Sequence, residues 1–542
     1  MTDDDLEQII LPLESGSEWR FELEGDENIA LRVHSTDPVY LNGEELPPTT
    51  WYPIHRYTKG AIYSPTEGKL ELSSLPASQY TSTSTTQLHL HSLHLALERL
   101  RILARRAGNV TVEPGPFSGP SPAVTNPAAR GPRVMVLGPP SSGKTTVVKN
   151  LVNMALGSGV GWNVGVAGLD PSSPSNLIPG TLSLSSPAHP IPTHHVAHPL
   201  GSPPASLPSN TLSADVPTLG WWYGQLEPTT RGVPIWSKIV TAMGDVWSER
   251  WRKDPLLAAS GLFVDAPSGF ANPLLGQTKD DRSRYPLLTQ AIDAFDIDLV
   301  IVIGLEKLTI ELQRILASRG TKVIQLPKSG GVVDLDDTYR EIAHAQQVRS
   351  YFYGEPALPA NLSRLVGRTV PLGLQLSPYS FQIGWDTLHV LRVGEGSAAP
   401  SSALPLGSSH ILSPTRLSRV DPGGPAHVVR LLNMVLAIVA ITPEDRIAPV
   451  ATDEVKEEVK EEAEGGGGGG DEDEPDAVAG KVELDEDEVP FREEIGWREV
   501  LGFVVITGID ALKRKYTVLS PSPGKLPSTV AIAGAIEWVD SA

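Results

Sequence analysis

The chain has 542 residues, a formal net charge of −20, 40% apolar residues and no cysteine. The lack of cysteine excludes disulfides, zinc–thiolate sites and cysteine nucleophiles, and it allows a reducing compartment. No uninterrupted apolar stretch reaches about 18 residues, and the acidic N-terminus fits neither a secretory signal nor a mitochondrial presequence. We therefore expect a soluble protein of three or four domains with no membrane partner.

Residues 1–112 predict a small antiparallel β domain. Alternating apolar and polar residues occur at 19–24, 29–33 and 69–72, separated by Gly, Asn and Pro turns. Because side chains on a strand alternate between its two faces, such runs are typical of half-buried strands. Residues 113–131 are rich in Pro, Gly and Ala and predict a linker.

A helix is predicted at the end of this first domain. Its apolar residues recur at helical spacing and predict a buried face of Leu93, Leu97, Leu100 and Ala104. The opposite face is predicted to be basic, with Arg99, Arg101, Arg105 and Arg106. Arginines in this arrangement form either a solvated surface or an RNA-contacting one, and the residues alone leave both readings open.

Residues 138–145 read GPPSSGKT and match the phosphate-binding pattern G-x-x-x-x-G-K-[ST]. The apolar run 134–137 precedes them and a helical pattern follows, which is the strand–loop–helix context that the motif requires. Backbone N–H groups and the helix dipole then face the phosphates, Lys144 reaches the terminal phosphates, and the Thr145 hydroxyl holds Mg²⁺. The residues predicted to bind ATP here are Ser141, Ser142, Gly143, Lys144, Thr145 and Thr146.

The rest of residues 132–371 predicts a doubly wound α/β sheet. Apolar runs typical of buried strands occur at 164–167, 261–264, 298–303 and 323–326, with helical patterns such as 235–251 and 307–318 between them. The Ser-, Pro- and His-rich stretch 183–217 predicts a surface insertion. Its histidines, at 194, 195 and 198, lack an acidic partner and do not make a metal site.

Phosphoryl chemistry at such a loop requires further groups. A carboxylate is needed at the end of a neighbouring strand, and both Asp170 and Asp265 occupy such positions. Arg340 or Arg349, on a predicted helix, would neutralise charge on the transferred phosphoryl group. A turn aspartate and a solvated helix arginine are the plain structural alternatives.

Residues 372–542 predict a β-rich C-terminal domain. Short apolar runs occur at 388–393, 431–441, 500–506, 516–519 and 530–539. Between Asp453 and Glu488 the chain has 17 acidic residues, three lysines and six consecutive glycines, so this segment alone contributes about −14 of the net charge. Such a composition cannot bury apolar surface, and we predict a disordered acidic insertion over residues 450–490.

Several stretches together resemble the polyribonucleotide 5′-hydroxyl kinase family, and more narrowly the Clp-type subunit of the pre-mRNA cleavage and polyadenylation factor. The matching stretches run in the same order along nearly the whole chain. They are EWRF (18–21), GPRVMVLGP (131–139), LD (169–170), IPGT (178–181), LPKSGGVV (326–333), YFYG (351–354), VLSPSP (518–523) and LP (526–527).

The resemblance implies a central P-loop domain flanked by an N-terminal β-sandwich-like domain and a C-terminal β-rich domain. It implies that the N-terminal domain reaches the nucleotide, with Glu18 and Lys59 contacting ATP. It also implies nuclear localisation and assembly with other subunits of the pre-mRNA cleavage factor, including the scaffold subunit that binds the RNA polymerase II C-terminal tail. Direct contact with RNA is left open.

The chain departs from the catalytically active members of the family at two places. They continue the strand-end aspartate as D-x-G-Q, whereas here Ser172 and Ser173 follow Asp170 and Pro171. Their lid helix is arginine-rich, whereas residues 339–349, YREIAHAQQVR, contain two arginines. We therefore expect an ATP-binding scaffold subunit with little or no turnover. The alternative is an active kinase in which Asp170 and Arg340 are catalytic; the matches outside the loop disfavour an unrelated P-loop NTPase.

Overall fold

The computed structural model describes residues 9–35, 37–108, 124–173, 177–187, 189–196, 216–230, 232–277, 284–354, 356–367, 377–394, 414–420, 427–447 and 489–540. Much of the predicted linker, the middle of the predicted 183–217 insertion, the boundary near residue 371 and nearly all of the acidic segment lie outside these ranges. Within them, no helix combines the length and the apolarity needed to cross a bilayer.

The N-terminal part is a sandwich of two antiparallel sheets. Its strands are β1 (Ile9–Leu13), β2 (Ser17–Glu22), β3 (Ile29–Val33), β4 (Tyr40–Leu41), β5 (Glu44–Glu45), β6 (Tyr52–Ile54), β7 (Lys59–Ser64), β8 (Gly68–Leu72) and β9 (Ser78–Ser82). One sheet has the order β1-β8-β3-β6 and the other β5-β4-β7-β2-β9.

The predicted alternation places Trp19 and Phe21 of β2 in the core between the two sheets. Glu18 and Arg20, on the other face of the same strand, are also buried. The outer face of the sandwich is therefore covered by other parts of the chain at β2.

The central part contains a seven-stranded sheet flanked by helices. Its strands are β10 (Arg133–Leu137), β11 (Gly165–Gly168), β12 (Thr181–Ser186), β13 (Val216–Trp222), β14 (Leu262–Asp265), β15 (Leu299–Ile303) and β16 (Lys322–Leu326). The order is β13-β12-β11-β14-β10-β15-β16, in which β12 and β13 are antiparallel and the other five strands are parallel. All four predicted central strands are confirmed.

Helices cover both faces of this sheet. They are α1 (Gln87–Ala107), α2 (Lys144–Leu156), α3 (Val233–Lys253), α4 (Pro255–Ser260), α5 (Pro286–Phe295) and α6 (Glu306–Leu316). Two more helices follow, α7 (Asp337–Tyr353) and α8 (Ala360–Val366), and α8 packs on the N-terminal sandwich. Val134 and Val136 of β10 pack in the same apolar layer as α2, while Met135 and Leu137 pack in the layer that contains α3 and α5. This alternation fixes the loop after β10 at the carboxyl edge of the sheet, near its middle.

The basic face predicted for α1 is wrong at Arg101. Only 1% of Arg101 is exposed, whereas Leu100, predicted to be buried, is 49% exposed. The Arg101 Nε donates to the Ser260 carbonyl at 2.9 Å, and its guanidinium lies 3.2 Å from Glu98. The reason is that α1 packs against both α2 and α4, so its buried face turns further around the helix than the apolar residues indicate.

The predicted surface insertion 183–217 is wrong at both ends. Residues 183–186 belong to the fully buried strand β12, and residues 216 and 217 begin β13. Leu182 and Leu184 alternate with serines along β12, and this period of two was the overlooked signal. His194 and His195 are buried too, and the His194 carbonyl accepts a hydrogen bond from the His55 amide at 2.9 Å.

The C-terminal part is a second seven-stranded sheet. It comprises β17 (Tyr379–Gly384), β18 (His389–Val393), β19 (Leu417–Arg419), β20 (Met434–Val439), β21 (Val500–Asp510), β22 (Lys515–Ser520) and β23 (Val530–Glu537), with the short helix α9 (His427–Leu431) before β20. The order is β17-β22-β21-β20-β23-β18-β19. One apolar layer of this sheet includes Val348, Tyr351 and Phe352, from the second half of α7.

The two ends of the acidic segment lie side by side. The Ile447 amide donates to the Pro490 carbonyl at 3.1 Å, and the Arg492 amide donates to the Asp445 carbonyl at 2.9 Å. The Arg498 guanidinium also binds the buried Asp445 carboxylate, with Nη2 2.6 Å from Oδ1. The hydrogen bonds from Arg498, together with those from Thr442, hold the pKa of Asp445 well below its usual range.

Candidate nucleotide site

The loop between β10 and α2 has the backbone of a phosphate cradle. Ser141 and Gly143 adopt positive φ angles of 49° and 85°, so the chain turns sharply before α2 begins. A Cβ atom at Gly143 would lie 3.1 Å from the Val332 side chain, so glycine also permits a close approach. The amino end of α2 therefore points its free N–H groups and its dipole into an enclosed space.

Lys144 and Thr145 contact groups of the central sheet. The Lys144 Nζ donates to the Pro139 carbonyl at 3.1 Å, and the Thr145 hydroxyl donates to Asp265 Oδ2 at 2.7 Å. Asp265 is buried, and its Oδ1 has no hydrogen-bond partner. Burial, with a contribution from the charge of Asp170, raises the pKa of Asp265 to about 7. A hydroxyl beside an unpaired carboxylate oxygen suits Mg²⁺, which prefers oxygen ligands.

Asp170, the second strand-end carboxylate, follows β11 and faces the same space. Its Oδ1 accepts hydrogen bonds from the Ser172 amide at 3.1 Å and from the Ser172 hydroxyl at 2.7 Å. Both aspartates named from the sequence thus lie at the carboxyl edge of the sheet. Asp265 accepts a hydrogen bond from the end of the phosphate-binding loop, whereas Asp170 accepts its hydrogen bonds from Ser172 in the turn that follows it.

A lid formed by residues 327–347 closes the space from one side. Arg340 Nη2 donates to the Ser141 hydroxyl at 3.3 Å, and His344 Nε2 donates to the Ser172 carbonyl at 2.7 Å. Burial lowers the pKa of His344, so the neutral ring is favoured. Arg349, the other arginine considered from the sequence, lies 3.4 Å from Asp540 and does not line the space.

The N-terminal sandwich forms the opposite wall. The Glu18 carboxylate pairs with Arg20 at 2.7 Å, and Lys59 pairs with the Glu22 carboxylate. The Lys59 Nζ also lies 4.9 Å from the centre of the Tyr339 ring, on the lid. The tyrosine hydroxyl of the lid in turn donates to a backbone carbonyl of the sandwich at 2.9 Å. Lid and sandwich are therefore in direct contact.

These walls enclose a cavity of about 930 Å³, within the size range of small-molecule sites. Asp265 and Arg349, two alternatives considered from the sequence, do not line it. The ten residues predicted to bind ATP or to act in catalysis do: Glu18, Lys59, Ser141, Ser142, Gly143, Lys144, Thr145, Thr146, Asp170 and Arg340. Sequence reasoning missed Arg20, Glu22 and Tyr339, and it noted His344 only as standing at a usually basic position of the lid helix. A polar residue on a strand or helix looks solvated until the element that covers it is known, so the sequence offered no signal for the first three.

A buried polar seam joins the sandwich to α2. The Lys149 Nζ donates to the Pro192 carbonyl at 2.6 Å, while the Glu44 carboxylate accepts from the Tyr52 hydroxyl at 2.8 Å and from the Thr193 amide at 3.1 Å. Burial lowers the pKa of Lys149 to about 8 and raises that of Glu44. The helix that carries the phosphate-binding loop is thus fixed to the N-terminal sheet.

Within the part of the chain that the structure describes, no group of three or more His, Asp or Glu residues is arranged to hold a metal ion. His194 and His195 pack instead against His55, with ring centres 6.3 and 5.3 Å away. His198 lies outside the described residues.

The parallel sheet, the loop and the two flanking β domains define a P-loop protein of three parts. The family model described as the mRNA cleavage and polyadenylation factor CLP1 P-loop matches residues 138–354. The model for the N-terminal beta-sandwich domain of polyadenylation factor matches residues 12–104, and that for the pre-mRNA cleavage complex II protein Clp1 matches 376–462 and 476–540. The chain belongs to the Clp1 family.

Its curated relatives are similar over their whole length. The mRNA cleavage and polyadenylation factor CLP1 of Cryptococcus neoformans var. neoformans serotype D is 59% identical, with 98% of each chain covered. The protein from Xenopus laevis named polyribonucleotide 5′-hydroxyl-kinase Clp1 is 26% identical, with 97% of this chain and 95% of the relative covered.

Solved structures share the fold. A wild-type Clp1p in complex with Pcf11p matches with a TM-score of 0.67 at 19% identity, covering 99% of both chains. A second Clp1p structure matches with a TM-score of 0.68 at 19% identity, covering 98% of this chain and 99% of that one. Its description concerns an extended interface with Pcf11p and the loss of ATP in a point mutant.

Proposed function

We propose that this chain is an ATP-binding scaffold subunit of the nuclear pre-mRNA 3′-end cleavage and polyadenylation machinery, and that it holds ATP·Mg²⁺ with little or no turnover. One observation supports this most strongly: the phosphate-binding loop, the lid and the N-terminal sandwich enclose a single cavity. A nucleotide there is gripped from two domains at once, which suits a structural ligand. In this proposal the domains are residues 1–112, 132–371 and 372–542.

The proposed contacts follow from the cavity walls. Lys144 contacts the terminal phosphates, and the hydroxyl of Thr145, beside the unpaired oxygen of Asp265, holds Mg²⁺. Glu18 and Lys59 contact the nucleotide from the sandwich, where both line the cavity. The description of a Clp1p point mutant that has lost ATP supports nucleotide binding within this fold.

Low turnover is expected because few groups around the proposed phosphate position can neutralise charge or orient the reactants. Phosphoryl transfer depends on positioning and on neutralising charge, and loss of one stabilising donor typically costs about 10²- to 10³-fold in rate. Ser173 stands where active members have glutamine. Of the two arginines on α7, Arg340 lines the cavity and Arg349 pairs with Asp540.

We propose the same assembly for this chain that the solved Clp1p structures contain. They are complexes with Pcf11p, and we infer that this chain binds the corresponding scaffold subunit, the one that binds the RNA polymerase II C-terminal tail. Nuclear localisation and membership of the cleavage factor follow from the same proposal. A direct contact with RNA is required by the kinase alternative and is left open in the scaffold role.

The experiment is a turnover assay on the purified full chain. We expect ATP to co-purify, and we expect the protein to transfer little or no label from γ-labelled ATP to a 5′-hydroxyl oligoribonucleotide. Lys144→Ala should abolish co-purified nucleotide. ATP retained by Lys144→Ala would contradict the nucleotide assignment, and multiple turnovers that disappear in Lys144→Ala would overturn the scaffold role.

That second result would support the alternative, an active polyribonucleotide 5′-hydroxyl kinase. Two observations favour it specifically: Asp170 and Arg340 both line the cavity, and the relative from Xenopus laevis carries the kinase name. In that case Asp170 accepts the hydroxyl proton and Arg340 neutralises charge on the transferred phosphoryl group.

A further inference from the structure

We propose that Ser172 and His344 are positioning residues that hold the Asp170 carboxylate in its own turn and thereby suppress phosphoryl transfer. This inference deepens the proposed function and depends on it for the site concerned. The proposed function explains low turnover by groups that are missing. This inference adds a second cause, which is that two side chains hold the strand-end carboxylate proposed to act on an acceptor.

The first half of the device is Ser172. Its amide and its hydroxyl both donate to the same oxygen of Asp170, Oδ1, at 3.1 and 2.7 Å. Asp170 is buried, so little water competes for that oxygen. Two donors on one carboxylate oxygen occupy its lone pairs and orient the carboxyl group toward residues 170–173. A glycine at 172 would supply the amide but not the hydroxyl.

The second half is His344, which acts through Ser172. Its Nε2 donates to the Ser172 carbonyl at 2.7 Å, from the side of the lid helix α7. A carbonyl only accepts, so Nε2 carries the proton in this contact. The bond holds the carbonyl of Ser172, the residue whose amide and hydroxyl both donate to Asp170. The lid and the strand-end turn are therefore linked by a chain of hydrogen bonds from His344 through Ser172 to Asp170.

Holding the Asp170 carboxylate in its own turn affects the transfer of one proton, that of the acceptor's 5′-hydroxyl group. In transfer to a 5′-hydroxyl end, a bond forms between the 5′ oxygen and the γ phosphorus, the bond from that phosphorus to the β–γ bridging oxygen breaks, and ADP leaves. The hydroxyl proton must pass to a base, and Asp170 is the strand-end carboxylate that lines the cavity. In this proposal the two donors hold the carboxylate in an orientation set by its own turn rather than by the acceptor hydroxyl.

The test measures single-turnover label transfer from γ-labelled ATP to a 5′-hydroxyl oligoribonucleotide. Ser172→Gly and Ser172→Ala should raise the rate constant roughly ten- to a hundredfold, as expected for loss of a hydrogen bond to a charged group. Ser172→Thr keeps the hydroxyl and should stay as slow as the wild type. Ser92→Ala is the control, because Ser92 is an exposed serine of α1 that does not line the cavity.

The lid side is tested in the same assay. His344→Ala should also raise the rate, and His344→Gln, whose amide can donate to the same carbonyl, should restore suppression. The double variant, Ser172→Gly with His344→Ala, should increase the rate constant by less than the product of the two single increases. The reason is that both side chains act through one carboxylate. The KM for ATP should stay unchanged in every variant. Co-purified nucleotide and the melting temperature report that each variant is folded.

The outcomes separate this inference from the proposed function. A slow wild type with faster Ser172→Gly and Ser172→Ala supports both. A slow wild type with equally slow folded variants overturns the positioning role and leaves the scaffold role standing. A wild type that turns over, with still faster serine variants, overturns the scaffold role and supports the positioning role. A wild type that turns over at the rate of its variants overturns both.

Discussion

At the residue scale, Arg101 shows how much the meaning of a charged side chain depends on its surroundings. Burial lowers its pKa to about 10, and its guanidinium is held by the Ser260 carbonyl, by Glu98 and by the ring of Phe263, 5.5 Å away. Arg99, two residues earlier on the same helix, is exposed. The two arginines therefore make a matched pair for measuring what burial changes.

We expect Arg101→Ala to destabilise the protein by about 3 kcal/mol, because it leaves a carbonyl and a carboxylate without their buried partner. Arg99→Ala should change the free energy of unfolding by less than about 0.5 kcal/mol. Urea unfolding followed by circular dichroism measures both. Equal midpoints for the two variants would show that Arg101 contributes nothing beyond a surface charge.

The site residues form two groups, those that a local sequence motif predicts and those that it does not. The loop residues Ser141 to Thr146 follow from a motif whose backbone geometry is local, so the sequence suffices to place them. Glu18 and Lys59 were named through family resemblance alone, since nothing in a short alternating strand says which face another domain covers. Arg20 escaped notice for the same reason, and the contact of His344 with Ser172 could not be predicted. Their roles arise from contacts between elements far apart in the chain.

At the scale of elements, the periodicity of apolar residues predicted the central strands. The prediction was wrong where the Ser-rich composition of a segment was given more weight than its periodicity. β12 was taken as part of a Ser-rich insertion, although Leu182 and Leu184 alternate within it as buried strand residues do. Helix α1 was found, but its buried face was misplaced because α2 and α4 pack on two sides of it. Strand existence is a local property, whereas the buried face of a helix is set by tertiary packing.

The pairing of Asp445 with Arg498 gives a prediction about pH. The pKa of Asp445 in the folded protein lies below its ordinary value of 3.8, so the stabilisation is complete above that value and is lost as the pH falls toward the folded pKa. We expect Asp445→Asn to melt lower than the wild type at pH 7, with a difference that narrows below about pH 4.

Thermal melts across that range, with exposed Asp386→Asn as the control, measure the difference. A gap between wild type and Asp445→Asn that stays constant from pH 7 to pH 3 would mean that the ion pair does not stabilise the fold.

The acidic segment gives a second prediction at this scale. The contact between Ile447 and Pro490 holds the ends of residues 448–489 together, so a short linker can replace what lies between them. Deletion of residues 453–488 should leave the fold intact and shift the midpoint of unfolding little, since closing a loop depends weakly on its length. Soluble yield and the thermal melt measure this. Loss of soluble protein on deletion would contradict it.

At the scale of the whole molecule, the proposed nucleotide site lies between the N-terminal sandwich and the central domain. These two domains also contact each other directly, without a nucleotide between them. The seam from Lys149 to the region of Glu44 joins the sandwich to α2, and the lid contacts both. A ligand bound at this junction stabilises the sandwich and the P-loop domain together, because it binds the assembled state alone.

We therefore expect ATP·Mg²⁺ to raise the melting temperature of the sandwich and of the central domain together. The stabilisation should reach about 2.7 kcal/mol at a hundredfold excess over the dissociation constant. Glu18→Ala and Lys59→Ala should each reduce this shift, as should Lys144→Ala. Hydrogen exchange in strands β2 and β7 reports the sandwich separately. A nucleotide effect confined to the central domain would contradict the contacts from Glu18 and Lys59.

Helix α7 has one half at the cavity and the other in the core of the C-terminal sheet, where Phe352 stacks on Trp538 at 5.9 Å. Arg349 and Tyr353 of this helix also pair with Asp540. During synthesis, the loop, the sandwich and the lid all leave the ribosome long before residues 538–540. The lid thus lacks its anchor until nearly all of the described chain has been made. We expect nascent chains stalled before residue 530 to release nucleotide faster than complete ones.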